Sequence, residues 1–239
     1  MEPISLDFDV LKKRGFLKQK QKGYALFRVR AFCGNFTHAQ LDAVTSIARR
    51  YGKGMIHATT RQGLEVPYIA YADIPVVEAL IAEHGLLPST SGACLRTTTC
   101  CPGNNWCKMG LVDTFALCES LDRAGLSCGL ELPHKFKINV SGCPNTCTRA
   151  QHTEIGIHGS VDSETKQFGY VIYAAGCGGR LPRHGIKLAG VHSSDGVIAV
   201  ITAVLAFFKE RAKPRQRLAA LVEEVGREAF FQAIGYHAA

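Results

Sequence analysis

The chain has 239 residues, of which 46% are hydrophobic and 20% are charged, as in globular proteins with a buried core. A formal net charge of +8 invites an anionic partner, but the basic residues are scattered and match no nucleic-acid-binding motif. The N-terminus lacks the pattern of a signal peptide, and the most apolar stretch, residues 197–208, is shorter than the roughly 18 residues of a membrane span. We therefore expect a cytoplasmic protein with neither a nucleic-acid nor a membrane partner.

The first third of the chain predicts a small α+β domain. Arg28 and Arg30 project from one face of the first strand, because side chains alternate along a strand. Thr37 and Gln40 have the spacing of a capping box, which marks the start of a helix. The predicted order is a strand at 24–32, a helix at 37–52, strands at 55–60 and 64–70, and a helix at 73–85.

A segment rich in Pro, Ser and Gly at residues 86–92 predicts a domain boundary. We place one domain at residues 1–86 and a second at residues 87–239. The second domain is predicted to contain a helix at 106–124, a strand at 135–141, paired strands at 155–159 and 168–174, a flexible loop at 176–180, and two or three helices from residue 193 onward.

Two cysteine pairs carry most of the chemical information. Five residues separate Cys101 from Cys107, and three residues separate Cys143 from Cys147. Each pair closes a short loop that can direct two thiolates at one centre, and four thiolates complete a [4Fe–4S] cluster. In a reducing compartment such cysteines are metal ligands rather than disulfides. This pattern predicts a redox centre.

Two alternatives to this ligand set stay open. Cys94 and Cys100 have the same spacing as the first pair, but we prefer Cys101 and Cys107. Pro-Gly follows Cys101, and the helix predicted to begin near Cys107 would stabilise a thiolate with its free N–H groups. Zinc also accepts four thiolates, although its ligand loops usually contain two to four residues. The remaining cysteines are expected to fill core or loop space, namely Cys33, Cys118, Cys128 and Cys177.

With these cysteine spacings, the segment at residues 140–147 and the Thr-Thr-Arg-Gln-Gly motif at residues 59–63 closely resemble the sirohaem-dependent sulfite and nitrite reductases. Within that family the chain is most similar to the small, single-subunit anaerobic, assimilatory type of sulfite reductase. The resemblance covers nearly the whole chain. It implies an α+β protein in which a ferredoxin-like half domain is followed by a mixed α/β domain that binds sirohaem and a [4Fe–4S] cluster.

The resemblance also implies an activity, the six-electron reduction of sulfite to sulfide. Cys101, Cys107, Cys143 and Cys147 would hold the cluster, and Cys147 would also bridge a cluster iron to the sirohaem iron. Four cations match the family's substrate-binding and proton-donating residues, with Arg30 as a competitor of the first. They are Arg28, Arg61, Lys135 and Lys137.

Sirohaem has eight carboxylates, so its pocket needs many cationic and N–H donors. Seven residues are candidates for sirohaem binding: three arginines and Asn145 by position, two glycines by their backbone N–H groups, and Cys147 by the resemblance. They are Arg96, Asn145, Cys147, Arg149, Gly178, Gly179 and Arg180.

The chain also departs from the family's usual pattern. Most members are about twice as long and contain two related halves, whereas this chain has one copy, which leaves a monomer and a homodimer both open. No cysteine run typical of an added ferredoxin module is present, so electrons are expected from a separate acidic donor such as ferredoxin or flavodoxin. Alternative functions are nitrite reduction, electron transfer by a cluster without a tetrapyrrole, and, more remotely, a zinc-stabilised binding module.

Overall fold

The structure is a computed structural model that describes residues 6–237. The chain forms two compact units, Met1–Gly92 and Ala93–Ala239. Residues 87 and 88 pair with a strand of the first unit. The boundary at residue 86 stays a prediction.

The first unit is built on an antiparallel sheet of five strands with three helices. The sheet order is β1-β2-β4-β3, and β5 pairs with the part of β2 that β1 leaves free. The strands are β1 (Phe16–Lys18), β2 (Tyr24–Arg30), β3 (His57–Ala58), β4 (Leu64–Ala70) and β5 (Leu87–Pro88). The helices are α1 (Phe8–Leu11), α2 (His38–Tyr51) and α3 (Ile74–Glu83).

Burial along β2 explains its strand conformation. Ala25, Phe27 and Val29 are fully buried in the core of this unit, while Arg28 and Arg30 lie on the opposite face, as predicted. The predicted capping box is also confirmed, because the Gln40 N–H donates to Thr37 Oγ1 and the Thr37 N–H donates to Gln40 Oε1. The strand predicted at 55–60 is only two residues long.

The second unit contains a mixed sheet in the order β10-β9-β8-β7-β6. In this sheet β6, β7 and β8 run parallel to one another, whereas β9 is antiparallel to both β8 and β10. They are β6 (Thr99–Cys100), β7 (Ile138–Ser141), β8 (Ile155–Val161), β9 (Phe168–Ala174) and β10 (Ile186–Lys187). The helices are α4 (Thr114–Arg123), α5 (Ser194–Arg211), α6 (Leu218–Val225) and α7 (Arg227–Ile234).

Two expectations for this unit are confirmed. The strands β8 and β9 pair in an unbroken antiparallel register from Ile155 opposite Ala174 to Val161 opposite Phe168. The C-terminal part forms three helices. Among residues 6–237, no helix has the length and apolar character that crossing a membrane requires.

The helix predicted at 106–124 begins later, at Thr114, so this prediction is wrong for its first two turns. Asp113 ends the loop because its carboxylate accepts hydrogen bonds from the N–H groups of Phe115 (2.9 Å) and Ala116 (3.0 Å), as an N-cap does. Cys107 therefore lies in a loop. The helix N-terminus that was expected to support its thiolate is not there.

Candidate metal centre

The parallel part of the second sheet brings the two cysteine loops together. Cys101 directly follows β6, and Cys143 follows β7, which is the neighbouring parallel strand. The carboxyl ends of parallel strands lie at the same edge of a sheet. The Cys101 N–H also donates to the Val140 carbonyl at 3.1 Å, which extends the ladder to the first ligand. Both loops therefore start from one edge.

Glycines allow these loops to touch through their backbones. A Cβ added to Gly142 would lie 2.5 Å from Gly103 Cα, and one added to Gly110 would lie 2.2 Å from the Gly103 carbonyl carbon. Gly103 itself has φ +54°, which favours glycine. Gly159 supports the second loop from below, where an added Cβ would approach the Gly142 oxygen to 2.4 Å. Side chains at these positions would separate the two loops.

This close packing leads to a stability prediction. Replacing Gly142 with alanine should destabilise the chain by more than about 2 kcal/mol, because the new methyl group overlaps backbone that cannot move alone. The same change should lower the cluster content. Urea unfolding and acid-labile sulfide analysis measure the two effects.

Gly196→Ala is the matched control for Gly142→Ala. Gly196 lies in α5, where an added Cβ meets its nearest neighbour at an ordinary 3.4 Å, and alanine favours helix. We expect this control to keep the stability and cluster content of the unchanged protein. Equal behaviour of the two variants would contradict a tight contact between the loops.

The environments of the thiols distinguish the two candidate first pairs. The Gly142 N–H donates to Cys101 Sγ at 3.0 Å, an interaction that stabilises a thiolate. Cys94 and Cys100 are buried, and Cys100 Sγ lies within 4.8 Å of the thiol of Cys118 on α4. Cys101 Sγ thus has a backbone donor, and the roles of Cys101 and Cys107 as the first ligand pair stay predictions.

The spacing of the predicted ligands bears on the metal. Within residues 6–237, no three of these four thiols lie within 4.8 Å of one another. Four thiolates on a zinc ion, with Zn–S bonds of about 2.3 Å, would be only ~3.8 Å apart. The thiolates of a [4Fe–4S] cluster are further apart because each binds a different iron atom. Among residues 6–237, these four thiols are therefore not placed as the ligands of one zinc ion.

The second cysteine loop has an unusual backbone that β7 holds in place. Thr146 and Arg149 adopt φ values of 45° and 56°, which are rare for residues other than glycine. The Asn139 side chain donates to the Thr148 carbonyl at 2.6 Å, and the hydroxyls of Ser141 and Thr148 lie 2.8 Å apart. These anchors were not predicted from the sequence, although polar residues within a buried strand were a visible signal.

The two predicted lysines precede β7 and share one face. Phe136 and Ile138 are fully buried, whereas Lys135 and Lys137 are half-buried, which is the alternation of an extended chain. The Lys137 carbonyl accepts hydrogen bonds from the Ile155 N–H at 3.1 Å and from the Thr153 hydroxyl at 3.4 Å. Lys137 is thus fixed between the sheet and the chain that enters β8.

His134, which precedes these lysines, has a pKa below the ordinary value for histidine. Burial is the main cause, and the positive charges of Lys135, Arg217 and Arg96 add to it, while Glu154 acts in the opposite direction. Three cationic side chains and one carboxylate therefore act on His134. Such an excess of positive charge suits an anionic ligand.

The two arginines of β2 in the first unit differ in their hydrogen bonds. Arg28 is bonded to a carboxylate, whereas Arg30 Nε has no partner among the described residues. Arg28 Nε donates to Glu65 Oε1 at 2.7 Å, and its Nη2 donates to the same oxygen. Burial raises the pKa of Glu65, but hydrogen bonds from His57 and Arg28 outweigh it and hold that pKa below its usual value. Arg30, in contrast, has a buried Nε atom without a hydrogen-bond partner among the described residues. Arg28 thus has an acidic partner, whereas Arg30 Nε has none among the described residues, and which of the two contacts substrate stays open.

Arg61 lies in a tight turn before β4. The Thr59 hydroxyl accepts from the N–H groups of Arg61 (3.3 Å) and Gly63 (3.1 Å), and the Thr59 N–H donates to the Gly63 carbonyl. An added Cβ at Gly63 would lie 2.5 Å from the Val29 oxygen. The Thr-Thr-Arg-Gln-Gly motif is thus a rigid turn that presents Arg61 half-buried.

The other sirohaem candidates lie at three places in the second unit. Asn145, Cys147 and Arg149 are exposed on the second cysteine loop. Gly178, Gly179 and Arg180 lie in the loop that follows β9. The Arg96 N–H donates to the Phe136 carbonyl at 2.8 Å, beside the lysine segment. Their roles in binding sirohaem stay predictions.

The two cysteine loops at one edge of the mixed sheet form a candidate metal centre. Two family models match the chain. The model described as nitrite and sulphite reductase 4Fe-4S domain matches residues 91–239, and the nitrite/sulfite reductase ferredoxin-like half domain matches residues 17–84. The chain belongs to the nitrite and sulfite reductase family. This membership confirms the predicted fold class and the two cofactors, sirohaem and a [4Fe–4S] cluster.

Individual relatives differ in how much of their length the chain spans. It is 29% identical to the coenzyme F420-dependent sulfite reductase of Methanocaldococcus jannaschii, over 92% of this chain and 44% of that protein. It is 28% identical to the assimilatory-type sulfite reductase of Nitratidesulfovibrio vulgaris, over 92% of this chain and 97% of that protein. The chain thus spans less than half of the first relative and nearly all of the second.

A solved structure supports the fold. The crystal structure of dissimilatory sulfite reductase I superposes with a TM-score of 0.80, covering 90% of this chain and 70% of that one. The sequence identity is 15%, so this match bears on the fold alone.

Proposed function

We propose that this chain is a sulfite reductase that converts sulfite to sulfide with six electrons at a sirohaem coupled to a [4Fe–4S] cluster. The observation that carries the proposal is the contact between two cysteine loops at the end of β6 and β7, directly after a segment with two lysines on one face. A cluster site alone would not need that cationic segment. The relative that the chain spans almost completely is named an assimilatory-type sulfite reductase.

The four ligands of the cluster would be Cys101, Cys107, Cys143 and Cys147. Cys147 is exposed, so its thiolate can bind the cluster on one side and face a second cofactor on the other. When bound, the coupled cofactors supply electrons stepwise to the substrate sulfur. The N–H of Gly142 donates to Cys101 Sγ and would orient that ligand.

The lysines would act on the oxygens of sulfite. Each ammonium group can stabilise the negative charge on an oxygen and donate one of the two protons with which that oxygen leaves as water. Lys137 suits this role because its backbone is fixed by Thr153 and Ile155, so its side chain starts from a constant position. Arg61 and one arginine of β2 would bind the dianion through their guanidinium groups.

A comparison of the two β2 arginines tests which of them binds the substrate. Arg30→Met is expected to raise the KM for sulfite by roughly tenfold or more, because it removes a charge-assisted hydrogen bond. Arg28→Met should raise it by less than about threefold, because Arg28 already donates to Glu65. Steady-state kinetics with sulfite measure both values. A larger effect at Arg28 would restore it as the substrate-binding residue.

Nitrite is the second candidate substrate, since the matching family models name both nitrite and sulfite reductases. Two lysines favour sulfite, which carries more negative charge than nitrite. Competition between the two anions in one assay decides the preference.

The experiment that tests the proposed function is an anaerobic assay with a chemical reductant. Protein loaded with both cofactors should consume six electrons for each sulfide released from sulfite. A non-catalytic electron carrier would show only the broad absorption of a cluster, and a zinc module would be colourless. Absence of sulfide from a preparation with a sirohaem Soret band would overturn the proposal.

The electron donor is proposed to be a separate acidic protein such as ferredoxin or flavodoxin, in keeping with the net charge of +8. The rate with such a donor should fall several-fold as the ionic strength rises from 0.01 M to 0.15 M, because salt screens charge steering. The rate with a neutral chemical reductant serves as the control. A donor-dependent rate that is independent of salt would contradict this partner class. A cytoplasmic location and a monomeric or homodimeric state complete the proposal.

A further inference from the structure

A buried ion pair, Glu154 with Arg217, connects the start of β8 to the glycine loop after β9, residues 175–180. Glu154 directly precedes β8, and its side chain is 0% exposed. Arg217, which precedes α6, is 19% exposed and donates to Glu154 Oε1 from Nε at 3.2 Å and from Nη2. A carboxylate this deeply buried requires a cationic partner. The ion pair therefore holds the Arg217 guanidinium in place within the second unit.

Arg217 also binds the glycine loop. Its third nitrogen, Nη1, donates to the Gly178 carbonyl at 2.6 Å. The backbone of Glu154 holds the same loop at its start, because the Ala175 N–H donates to the Glu154 carbonyl at 2.9 Å. One acidic residue and one arginine thus anchor both ends of residues 175–178.

The geometry of the peptide bond lets the contact between Arg217 and the Gly178 carbonyl set the direction of the Gly179 N–H. The bond between Gly178 and Gly179 is trans and planar, so its C=O and N–H groups point in opposite directions. Because Arg217 holds the Gly178 oxygen, the Gly179 N–H points away from Arg217. This N–H has no acceptor within residues 6–237. Gly179 has φ +121°, a conformation that only glycine adopts readily.

From this geometry we infer that Arg217 is a positioning residue for cofactor binding, which presents the Gly179 N–H to a carboxylate of sirohaem. The inference rests on the proposed function for the identity of the ligand. The guanidinium also polarises the peptide group that it binds, which makes the N–H on the far side a stronger donor. Glu154 keeps the guanidinium in place and balances its charge. Arg217 itself does not touch the ligand.

The test compares variants that keep or remove the bond to Gly178. Arg217→Lys keeps a positive charge beside Glu154, but a single ammonium group cannot reproduce the forked contacts to both Glu154 and Gly178. A second variant, Glu154→Gln with Arg217→Met, removes both charges, so that no unpaired carboxylate is left in the core. The pair Arg183 and Glu223 provides the control, because Arg183 Nη1 donates to the Leu181 carbonyl of the same loop at 2.9 Å and the pair is exposed.

Two measurements on the full-length protein are needed, namely hydrogen exchange of residues 175–183 and sirohaem affinity relative to cluster content. Both Arg217 variants should exchange faster in this segment and bind sirohaem roughly tenfold more weakly, with acid-labile sulfide unchanged. Arg183→Met with Glu223→Gln should match the unchanged protein in sirohaem affinity.

Unchanged exchange or unchanged sirohaem affinity in both Arg217 variants would overturn the inference. Failure of the unchanged protein to bind sirohaem would instead refute the proposed function. In that case the hydrogen-exchange comparison alone decides whether Arg217 orders the loop.

Discussion

Replacement of Cys147 with serine is expected to reduce sulfite turnover by more than about 100-fold. Loss of groups that only contact metal ligands already costs about 10–100-fold, and Cys147 is proposed to be a ligand shared by two cofactors. The protein should still fold, because Cys147 is exposed and its side chain supports no described core contact. Turnover per sirohaem, measured with a chemical reductant, gives the result.

Cys128→Ser is the control for Cys147→Ser. Cys128 lies in the same unit, and its sulfur accepts a hydrogen bond from the Thr97 hydroxyl that a serine oxygen can also accept. Turnover should stay within about twofold of the unchanged protein. If Cys147→Ser kept turnover like this control, the proposal that Cys147 is a ligand shared by both cofactors would be wrong.

Lys137→Met is expected to lower kcat for sulfite by about 10²- to 10³-fold, the range found when one donor to a developing oxyanion is removed. Methionine retains the length of the side chain, so the effect should come from the missing charge and proton. Both cofactors should stay bound. The measurement is kcat together with the sirohaem and acid-labile sulfide content of the same preparation.

Lys187→Met supplies the matched control on an exposed position of β10 in the same sheet. Its kcat should not change. A loss of cofactors in Lys137→Met would show that Lys137 supports the fold of the centre rather than catalysis, and a normal kcat would remove it from the mechanism.

The elements that the sequence predicts well are those set by local rules. The capping box at Thr37 and Gln40 depends on two side chains and the backbone between them, and it forms as predicted. The β8 and β9 strands follow from hydrophobic runs separated by a polar turn.

One feature that sequence analysis missed is local, and the others depend on contacts between distant residues. The helix α4 starts at Thr114 because the Asp113 side chain caps it there. Residues 106–113, which were predicted to be helical, form a loop instead. The close backbone contacts of the glycines at 103, 110, 142 and 159 were not predicted from the sequence. Only the three-dimensional arrangement shows that 39 residues of chain, from 103 to 142, return to the same point.

The ion pairs illustrate the same limit. Arg28 and Arg30 are equivalent in the sequence, because both lie on one face of β2. The difference between them comes from Glu65 on the neighbouring strand β4, whose register places it opposite Arg28. Similarly, Glu154 and Arg217 are 63 residues apart, and no local pattern marks them as a pair.

The most direct test is metal analysis combined with Mössbauer spectroscopy of anaerobically purified, fully loaded protein. The account predicts about five iron atoms and about four acid-labile sulfides per chain, with the sirohaem iron and the cluster magnetically coupled through the thiolate of Cys147. A cluster without tetrapyrrole, or two iron centres without magnetic coupling, would contradict it.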